Sequence, residues 1–236
     1  MTYRLGIMQP YFFPYAQQFR HIGQCDHWII FDTPKFSRKS WVSRNRILNR
    51  DTEWGYVAVP VVKGASNDAI CEAEILQNDW RNELKDKLRV YEKAAPFFDE
   101  TMGLIEVCLN EPTRTIADLN TAIIQETCQH LGIETELHRL SELDIRLPET
   151  AGPGEWACLI SKEVGANIYS NAPGGRDLFD PTYYSENGVE LEFYEPIPLE
   201  YSTPGFVPVE GLSVIDPLMW MGRIALGEWR RSTVTL

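Results

Sequence analysis

The segment RLGIMQPYFFPYAQQFRHIGQCDHWIIF, residues 4–31, carries the clearest structural pattern in this chain. Residues 4–9 are a short apolar run suited to a buried strand, and Pro10 ends it. The next stretch, PYFFPY, has two prolines and four aromatics and predicts a stiff turn, after which residues 16–25 show helical spacing of apolar residues. Residues 28–31, WIIF, are typical of a strand. The order strand, loop, helix, strand indicates a βαβ unit.

The remaining pattern continues the alternation of strands and helices. Strand-like segments are predicted at residues 56–62, 134–140, 166–171 and 189–196. Helices are predicted at about 79–94 (with Asn78 as cap), 97–110, Thr115–His130, 155–164 and from about Ser213 onward. The sequence therefore predicts one α/β domain over residues 1–236, Rossmann-like, with a mostly parallel sheet and a helical insertion at about 78–131.

Composition limits the class of protein. The 236 residues are 44% hydrophobic and 24% charged, which is ordinary for a globular chain. No apolar run approaches the roughly 20 residues that span a bilayer, and the N-terminus lacks the pattern of a signal peptide. The five cysteines form no CxxC pair, so neither a zinc site nor a disulfide framework is indicated. We therefore expect a soluble cytoplasmic protein without membrane insertion.

Charge is distributed unevenly along the chain. Residues 1–50 hold eight Lys/Arg and two acids, although the whole chain carries a net charge of −12. Six of these cations lie between Lys35 and Arg50. Such a cluster creates a local field that recruits anions, so we expect an anionic small molecule as ligand. The alternative is that the cations neutralise the acidic surface of the chain itself. The overall acidity argues against bulk binding of nucleic acid.

The loop after the first strand provides candidate ligand-binding residues. Gln9, Tyr11 and Tyr15 follow a strand that is predicted to be central. Ligands of open α/β sheets bind at the carboxyl ends of the strands, where tyrosines can stack on a base, a sugar or a pantetheine arm. The alternative is that these aromatics belong to the core and the prolines only shape a turn.

The run KFSRKSWVSRNRIL provides a second set of candidates. Arg44 and Arg46 face the same way on an extended strand, with Asn45 pointing oppositely, whereas on a helix they splay by roughly 200°. Arginine offers a bidentate fork for phosphate or carboxylate, and Trp41 offers a stacking face. A solvated charged turn remains the alternative.

The third candidate is the loop NAPGGRDLFD. Gly174 and Gly175 can present consecutive backbone N–H groups to an anion, and Arg176 adds a guanidinium. The alternative is a plain turn between a strand and a helix.

Neither a Walker loop nor a GxGxxG fingerprint occurs, and the histidines lack metal-binding spacing. We therefore expect no metal and no resident cofactor.

These three stretches together resemble the WbqC-like family. The matching text is LGIMQPYFFPYAQQF, then KSWVSRNRIL, GANIYSNAPGGRDLFD and LSVIDPLMW, in this order from about Leu5 to Trp220. The resemblance implies a role in bacterial surface polysaccharide biosynthesis, beside enzymes for nucleotide-activated amino sugars and carrier-bound acyl groups. The family-like positions are Gln9, Tyr11, Pro14, Tyr15, Asp32, Lys39, Trp41, Arg44, Asn45, Arg46, Gly174, Gly175 and Asp216.

Two positions depart from the family pattern. His21 stands where the family usually has an aliphatic residue, so it is not taken as catalytic. Ser170-Asn171 stand where the family commonly has Ser-Gly before the glycine-rich loop. The opening of the chain is also distantly similar to the nucleotidylyltransferase and pantothenate synthetase superfamily, but it lacks their HxGH signature.

Three functions are therefore open at the level of sequence. The leading hypothesis is an O-antigen-type transferase that joins an acyl or aminoacyl group to a nucleotide-linked amino sugar, with an acyl carrier protein as a further partner. Arg44, Arg46 and Lys39 then bind phosphate, and Asp32 or Asp216 is the general base. The alternatives are an enzyme dependent on a nucleoside triphosphate and a non-catalytic binding subunit of the same pathway.

Overall fold

The computed structural model describes residues 2–110, 113–148 and 150–232. Strands and helices follow in the order β1 Arg4–Met8, α1 Ala16–Ile22, β2 His27–Ile30, β3 Arg44–Asn49, β4 Glu53–Ala58, α2 Trp80–Leu88, α3 Phe98–Asn110, α4 Ile116–His130, β5 Glu136–Arg139, α5 Pro153–Glu163, β6 Ile168–Asn171, α6 Pro181–Glu186, β7 Glu190–Phe193 and α7 Ile215–Arg231. Short 3₁₀ turns occupy Ala65–Asn67, Leu140–Glu142 and Pro173–Leu178.

The central sheet has five strands in the order β5-β2-β1-β6-β7, and every neighbouring pair is parallel. Its register sets Gly6 opposite Trp28 on one side and Leu5 opposite Tyr169 on the other. The chain builds outward from β1 to one edge and then returns to build from β1 to the other edge. This is doubly wound topology, with a switch point between β1 and β6. The prediction of an α/β fold with a mostly parallel sheet is confirmed.

Each face of the sheet is covered by helices. Trp28 and Ile30 of β2 point into a large cluster with residues of α1, α3, α4 and α7. Ile29, between them, points the opposite way into a smaller cluster with Ala157 and Ile160 of α5. All four residues of β2 are buried, as expected for a strand in a parallel sheet with both faces covered.

Strands β3 and β4 form a separate antiparallel hairpin. The strand that the sequence predicts at 56–62 is found at Glu53–Ala58, and it does not join the central sheet. The extended alternative for residues 44–46 is correct, because Arg44 pairs with Ala58 and Arg46 with Tyr56. The two arginines consequently face the same side, as the period of a strand requires.

The predicted helices differ from the observed ones mainly at their ends. The helix predicted at 79–94 ends at Leu88, because the chain turns there and inserts Tyr91 fully into the core. The cap at Thr115 is confirmed, since its side chain accepts from the N–H of Asp118 and Asp118 accepts from the N–H of Thr115. The last helix begins at Ile215 rather than Ser213.

Helices α2, α3 and α4 lie between β4 and β5 in the chain, where the sequence predicts a helical insertion. Helix α3 packs on α4 and on α7. The predicted boundaries, 1–236 for the domain and 78–131 for the insertion, include residues outside the described ranges, and the single domain stays a prediction. Throughout the described ranges, no helix combines the length and the apolar character needed to cross a membrane.

Candidate functional site

A cleft of about 490 Å³ opens at the carboxyl edge of the sheet, between β1 and β6. Open α/β sheets bind their ligands at such a switch point. Side chains from the ends of the strands, from α5 and from the 3₁₀ turn line the cleft: Ile7, Met8, Gln9, Tyr11, Tyr15, Phe31, Pro34, Pro153, Trp156, Ala157, Ile160, Tyr169, Asn171, Ala172, Gly174, Gly175, Leu178 and Phe179. The structure thus brings together the first and third groups of predicted site residues.

The loop that carries Gln9, Tyr11 and Tyr15 has an unusual backbone. Phe13 adopts φ 40°, a left-handed conformation that bulky side chains rarely occupy. Its ring is buried beside that of Phe12, with the ring centroids 5.0 Å apart. Strained residues of this kind persist only where surrounding contacts fix them, and they concentrate at binding and active sites.

Side chains from three distant parts of the chain hold this loop. The amide nitrogen of Asn45 donates to the carbonyl oxygens of Phe12 and Phe13, at 3.0 and 2.8 Å. The amide of Asn120 donates to the Pro10 carbonyl at 2.7 Å, and Ser213 Oγ donates to the Phe13 carbonyl at 2.8 Å. Buried backbone groups need such partners, so the loop conformation is specified by residues outside it.

The chemistry of the cleft is aromatic and uncharged. None of the described residues that line it carries a charge. Burial raises the pKa of Tyr11 and of Tyr15, so both remain protonated hydroxyls at neutral pH. Tyr169 donates to Asn171 Oδ1 at 3.0 Å, and Trp156 donates from its ring nitrogen to the Ala151 carbonyl at 2.9 Å. Such a surface suits stacking and hydrogen bonding to an uncharged organic group.

The two glycines of the third loop have different roles. A Cβ on Gly175 would lie 2.3 Å from Asn171 Nδ2 and 3.0 Å from the Phe179 ring, whereas a Cβ on Gly174 would meet nothing within 4 Å. Gly175 therefore permits close packing of the turn against the cleft residue Asn171. The N–H of Gly175 already donates to the Ala172 carbonyl at 3.2 Å, and Arg176 lies over the Phe193 ring.

The predicted residues of the β3 segment do not line the cleft. The Arg46 guanidinium lies over the rings of Trp41 and Trp54, at 5.6 and 5.2 Å from their centroids. The Arg44 guanidinium lies 4.2 Å from the Tyr56 centroid and donates to the Lys39 carbonyl. Asn45 points to the other side of the strand and is buried.

The guanidiniums of Arg44 and Arg46 contact aromatic rings rather than carboxylates. Among the described residues, no carboxylate forms an ion pair with Arg44 or Arg46. The hairpin lies beside the cleft loop, because the N–H of Phe12 donates to the Trp41 carbonyl at 2.9 Å and Phe12 follows the cleft residue Tyr11. The hairpin therefore presents uncompensated charge close to the loop, outside the cleft itself.

Asp32 lies two residues after the end of β2, is fully buried, and accepts hydrogen bonds from protein donors on both of its carboxylate oxygens. Arg139 Nε donates to it at 2.7 Å, and Ser141 donates from its hydroxyl at 2.6 Å and from its N–H at 3.0 Å. Arg139 also pairs with Asp118 at 2.7 Å. This network ties β2 to β5 and α4, and Asp32 does not line the cleft.

Asp216, the other predicted base, is fully buried at the start of α7. It accepts from the hydroxyl of Tyr91 at 2.8 Å and from the hydroxyl of Tyr201. Burial raises the pKa of its carboxyl group, against the effect of these hydrogen bonds. The hydroxyl of Tyr91 also accepts from the Leu48 N–H at 2.9 Å, which joins the hairpin to α7. The geometry of Asp216 is that of a residue that organises the core.

Comparison with known proteins agrees with the sequence motifs that form the cleft and the hairpin. The WbqC-like protein family matches residues 9–227. The chain belongs to this family. It is similar to the uncharacterized protein Rv1507c of Mycobacterium tuberculosis (strain ATCC 25618 / H37Rv), with 27% identity over 195 residues that cover 81% of this chain and 82% of that protein. No solved structure matches this chain, so the distant similarity to nucleotidylyltransferases is not confirmed.

His21, which departs from the pattern of the WbqC-like family, is a core residue. Its ring stacks on Tyr194 at 4.6 Å, and its Nε2 shares a hydrogen bond of 2.9 Å with Ser170 Oγ. Burial, assisted by the charge of Arg4, lowers the pKa of His21 to about 3. The described residues also contain no group of three or more His, Cys, Asp or Glu side chains arranged to hold a metal ion.

Sequence reasoning missed several residues that form the walls of the cleft: Phe31, Trp156, Tyr169, Asn171 and Phe179. Phe31 and Asn171 carried a usable signal, because each stands at the carboxyl end of a strand that the sequence predicts. No sequence signal could have placed Trp156 in the cleft, since its position depends on how α5 packs over the sheet.

Proposed function

We propose that this member of the WbqC-like family is a transferase of bacterial surface polysaccharide biosynthesis, joining an acyl or aminoacyl group to a nucleotide-linked amino sugar. The observation that carries the proposal is the uncharged aromatic cleft at the switch point of a doubly wound sheet. This position supports binding of a small organic ligand, and the lining supports an acyl or pantetheine group in the cleft rather than a triphosphate.

The charges outside the cleft support a second part of the ligand set. A nucleotide-linked sugar carries a diphosphate, which needs cations to replace its hydration. The guanidiniums of Arg44 and Arg46 lie over aromatic rings and have no carboxylate partner among the described residues. In the proposal, these guanidiniums bind the diphosphate beside the cleft loop, and Lys39 adds charge to the same surface.

The proposed reaction is transfer from a carrier-bound thioester. The amine nitrogen of the sugar attacks the acyl carbonyl carbon, a C–N bond forms and the C–S bond breaks. The thiolate that leaves takes the proton that the amine loses, so the products are an amide and a free thiol. The cleft contributes by holding the acyl group in a fixed orientation away from water.

The test is incubation of the full chain with acyl carrier protein or acyl-pantetheine donors and dTDP-linked amino sugars, followed by mass spectrometry of the sugar. The proposal expects an amide of the donor acyl mass and an equal amount of free thiol. As a control, the same donors are supplied with a dTDP-linked sugar that lacks the amine. Absence of amide across a broad panel of donors would exclude this transferase activity.

A second candidate is a non-catalytic binding subunit of the same pathway. It is favoured by Asp32 and Asp216, whose carboxylate oxygens already accept hydrogen bonds from protein donors. A general base needs a free oxygen within hydrogen-bond reach of the proton that it accepts. This candidate expects the chain to bind the donor or the sugar by calorimetry without forming product. Substitution of Arg46 by alanine would then weaken binding, and neither the wild-type chain nor the variant would form product.

A further inference from the structure

A second cavity, of about 580 Å³, lies between the start of α1 and the segment 197–212. It is more polar than the cleft at the switch point and contains carboxylates. The residues that matter here are Tyr15, Gln17, Glu200, Tyr201, Thr203 and Glu210.

The two cavities share a wall, because Tyr15 lines both of them. The second cavity also adjoins the arginine-bearing hairpin, since Arg46 donates to the carbonyl oxygens of Glu210 and Gly211, at 3.4 and 2.9 Å. Glu210 and Gly211 both line the cavity. The cavity therefore lies between the uncharged cleft on one side and, on the other, a guanidinium that has no carboxylate partner among the described residues.

Three polar side chains of this cavity, those of Glu200, Thr203 and Glu210, have no ion-pair or hydrogen-bond partner among the described residues. Across the described residues, neither Glu200 nor Glu210 forms an ion pair. Thr203 is 8% exposed, and its Oγ1 is buried without any hydrogen-bond partner from the described chain. A buried hydroxyl without a partner is costly, and the two exposed carboxylates that line the same cavity favour a ligand that carries both hydroxyl groups and a positive charge.

We propose that this second cavity binds the amino-sugar part of the acceptor. The proposal rests on the proposed function and adds where the amine is held. Glu200 and Glu210 accept hydrogen bonds from the ammonium group and from sugar hydroxyls, and Thr203 Oγ1 pairs with a hydroxyl. One of the two carboxylates takes a proton from the ammonium, so that the neutral amine attacks the acyl carbonyl and the leaving thiolate takes the second proton. The rings of Tyr15 and Tyr201 pack against the apolar face of the sugar.

This assignment orders the three ligand parts along the surface. The diphosphate lies on Arg46 outside the rim, the sugar lies in the cavity, and the acyl group lies in the cleft beyond Tyr15. The amine and the acyl carbonyl then meet beside one side chain. Positioning of two reactants in this way is a large part of the rate of an acyl transfer.

The test compares glucosamine with N-acetylglucosamine, which has the same ring but no positive charge. Binding to the full chain is measured by calorimetry or saturation-transfer NMR at low salt, at a pH where the glucosamine amine is protonated. We expect glucosamine to bind at least about tenfold more tightly, which corresponds to about 1.4 kcal/mol. Equal binding of the two sugars overturns the assignment.

The double variant Glu200→Gln/Glu210→Gln should remove this preference, whereas Glu163→Gln/Glu186→Gln, exposed and away from the cavity, should keep it. A preference that survives in the first variant overturns the proposal. Binding of an acyl-pantetheine is measured in the same samples. If the wild-type chain binds acyl-pantetheine but not glucosamine, the amino-sugar site is wrong and the transferase proposal stands; glucosamine binding without any acyl-pantetheine binding overturns the proposed donor site instead.

Discussion

Asn45 fixes the backbone of Phe13 across the space between the hairpin and the cleft loop. Its side-chain nitrogen donates to the carbonyl oxygens of Phe12 and Phe13, and Phe13 is held at φ 40°. The sequence motif SRNRI therefore contributes its asparagine to the cleft loop rather than to a ligand. An arginine on either side of it points to the opposite face of β3.

Replacement of Asn45 by alanine should destabilise the chain by about 1–3 kcal/mol, because the Phe12 carbonyl oxygen loses its donor and the Phe13 carbonyl oxygen keeps only Ser213 Oγ. The loop should also lose its fixed conformation, so binding to the cleft should weaken. The free energy of unfolding is measured by urea denaturation. The matched control is Asn82→Ala on the exposed side of α2, for which we expect a change within about 0.5 kcal/mol. Equal effects of the two substitutions would contradict the role of Asn45.

Alanine at Gly175 should be far more damaging than alanine at Gly174. The added Cβ at Gly175 displaces Asn171, and overpacking of this kind costs about 1–3 kcal/mol. Gly174 has open space around it, so its alanine variant should be neutral or more stable by up to about 1 kcal/mol. Urea denaturation measures both, and titration with an acyl-pantetheine shows whether Asn171 supports the cleft. The idea fails if the two variants bind and unfold alike.

The raised pKa of Asp216 predicts a dependence of stability on pH. A carboxyl group whose pKa is higher in the folded state binds a proton more readily there, so stability falls as pH rises from its ordinary value of 3.8 through the folded pKa. Asp216→Asn cannot titrate. The difference in unfolding free energy between wild type and this variant should therefore change with pH in that window, by at most about 1.4 kcal/mol per pH unit, and become constant above it. Parallel curves for the two proteins would rule the shift out.

His21 predicts the opposite slope. Its pKa is lowered to about 3 in the folded state, so the unfolded chain takes up the proton first as pH falls below the ordinary value of 6.5. The contribution of neutral His21 to the free energy of unfolding should be fully present above pH 6.5. It should decline between pH 6.5 and about pH 3, by at most about 1.4 kcal/mol per pH unit. His21→Leu removes this titration, and denaturant melts at several pH values compare the slopes. An unchanged slope in the leucine variant would show that His21 is charged when folded.

The arginines of the hairpin predict binding of a diphosphate. Arg46→Ala should weaken the affinity for dTDP about tenfold at low salt, because one charge-assisted contact is worth about 1.4 kcal/mol. Arg114→Ala is the matched control, since Arg114 is exposed and already paired with Glu74 at 2.5 Å. Calorimetry of wild type and both variants gives the comparison. If Arg46→Ala and Arg114→Ala reduce affinity equally, the hairpin is a general electrostatic surface and not a site.

Part of the candidate site was predictable because it depends on the ends of strands. Gln9, Tyr11 and Tyr15 follow β1 directly, and the carboxyl end of a central strand in an α/β sheet is where ligands bind. The position of Arg44 and Arg46 outside the cleft was not predictable, because it depends on where the β3–β4 hairpin attaches. Local sequence fixes the period of a strand but not which sheet the strand joins.

The amino-acid sequence alone predicts the βαβ opening, the helical block after β4 and membership of the family. It leaves residues 44–46 open between a strand and a helix, and the β3–β4 pairing settles that choice. The predicted properties depend on periodicity, capping and turn chemistry, which act over a few residues. Three other properties follow from tertiary contacts: the order of the strands, the uncharged lining of the cleft, and the burial of Asp32 and Asp216 among hydrogen-bond donors. Burial and partner choice depend on contacts between residues far apart in the chain, and no local pattern encodes them.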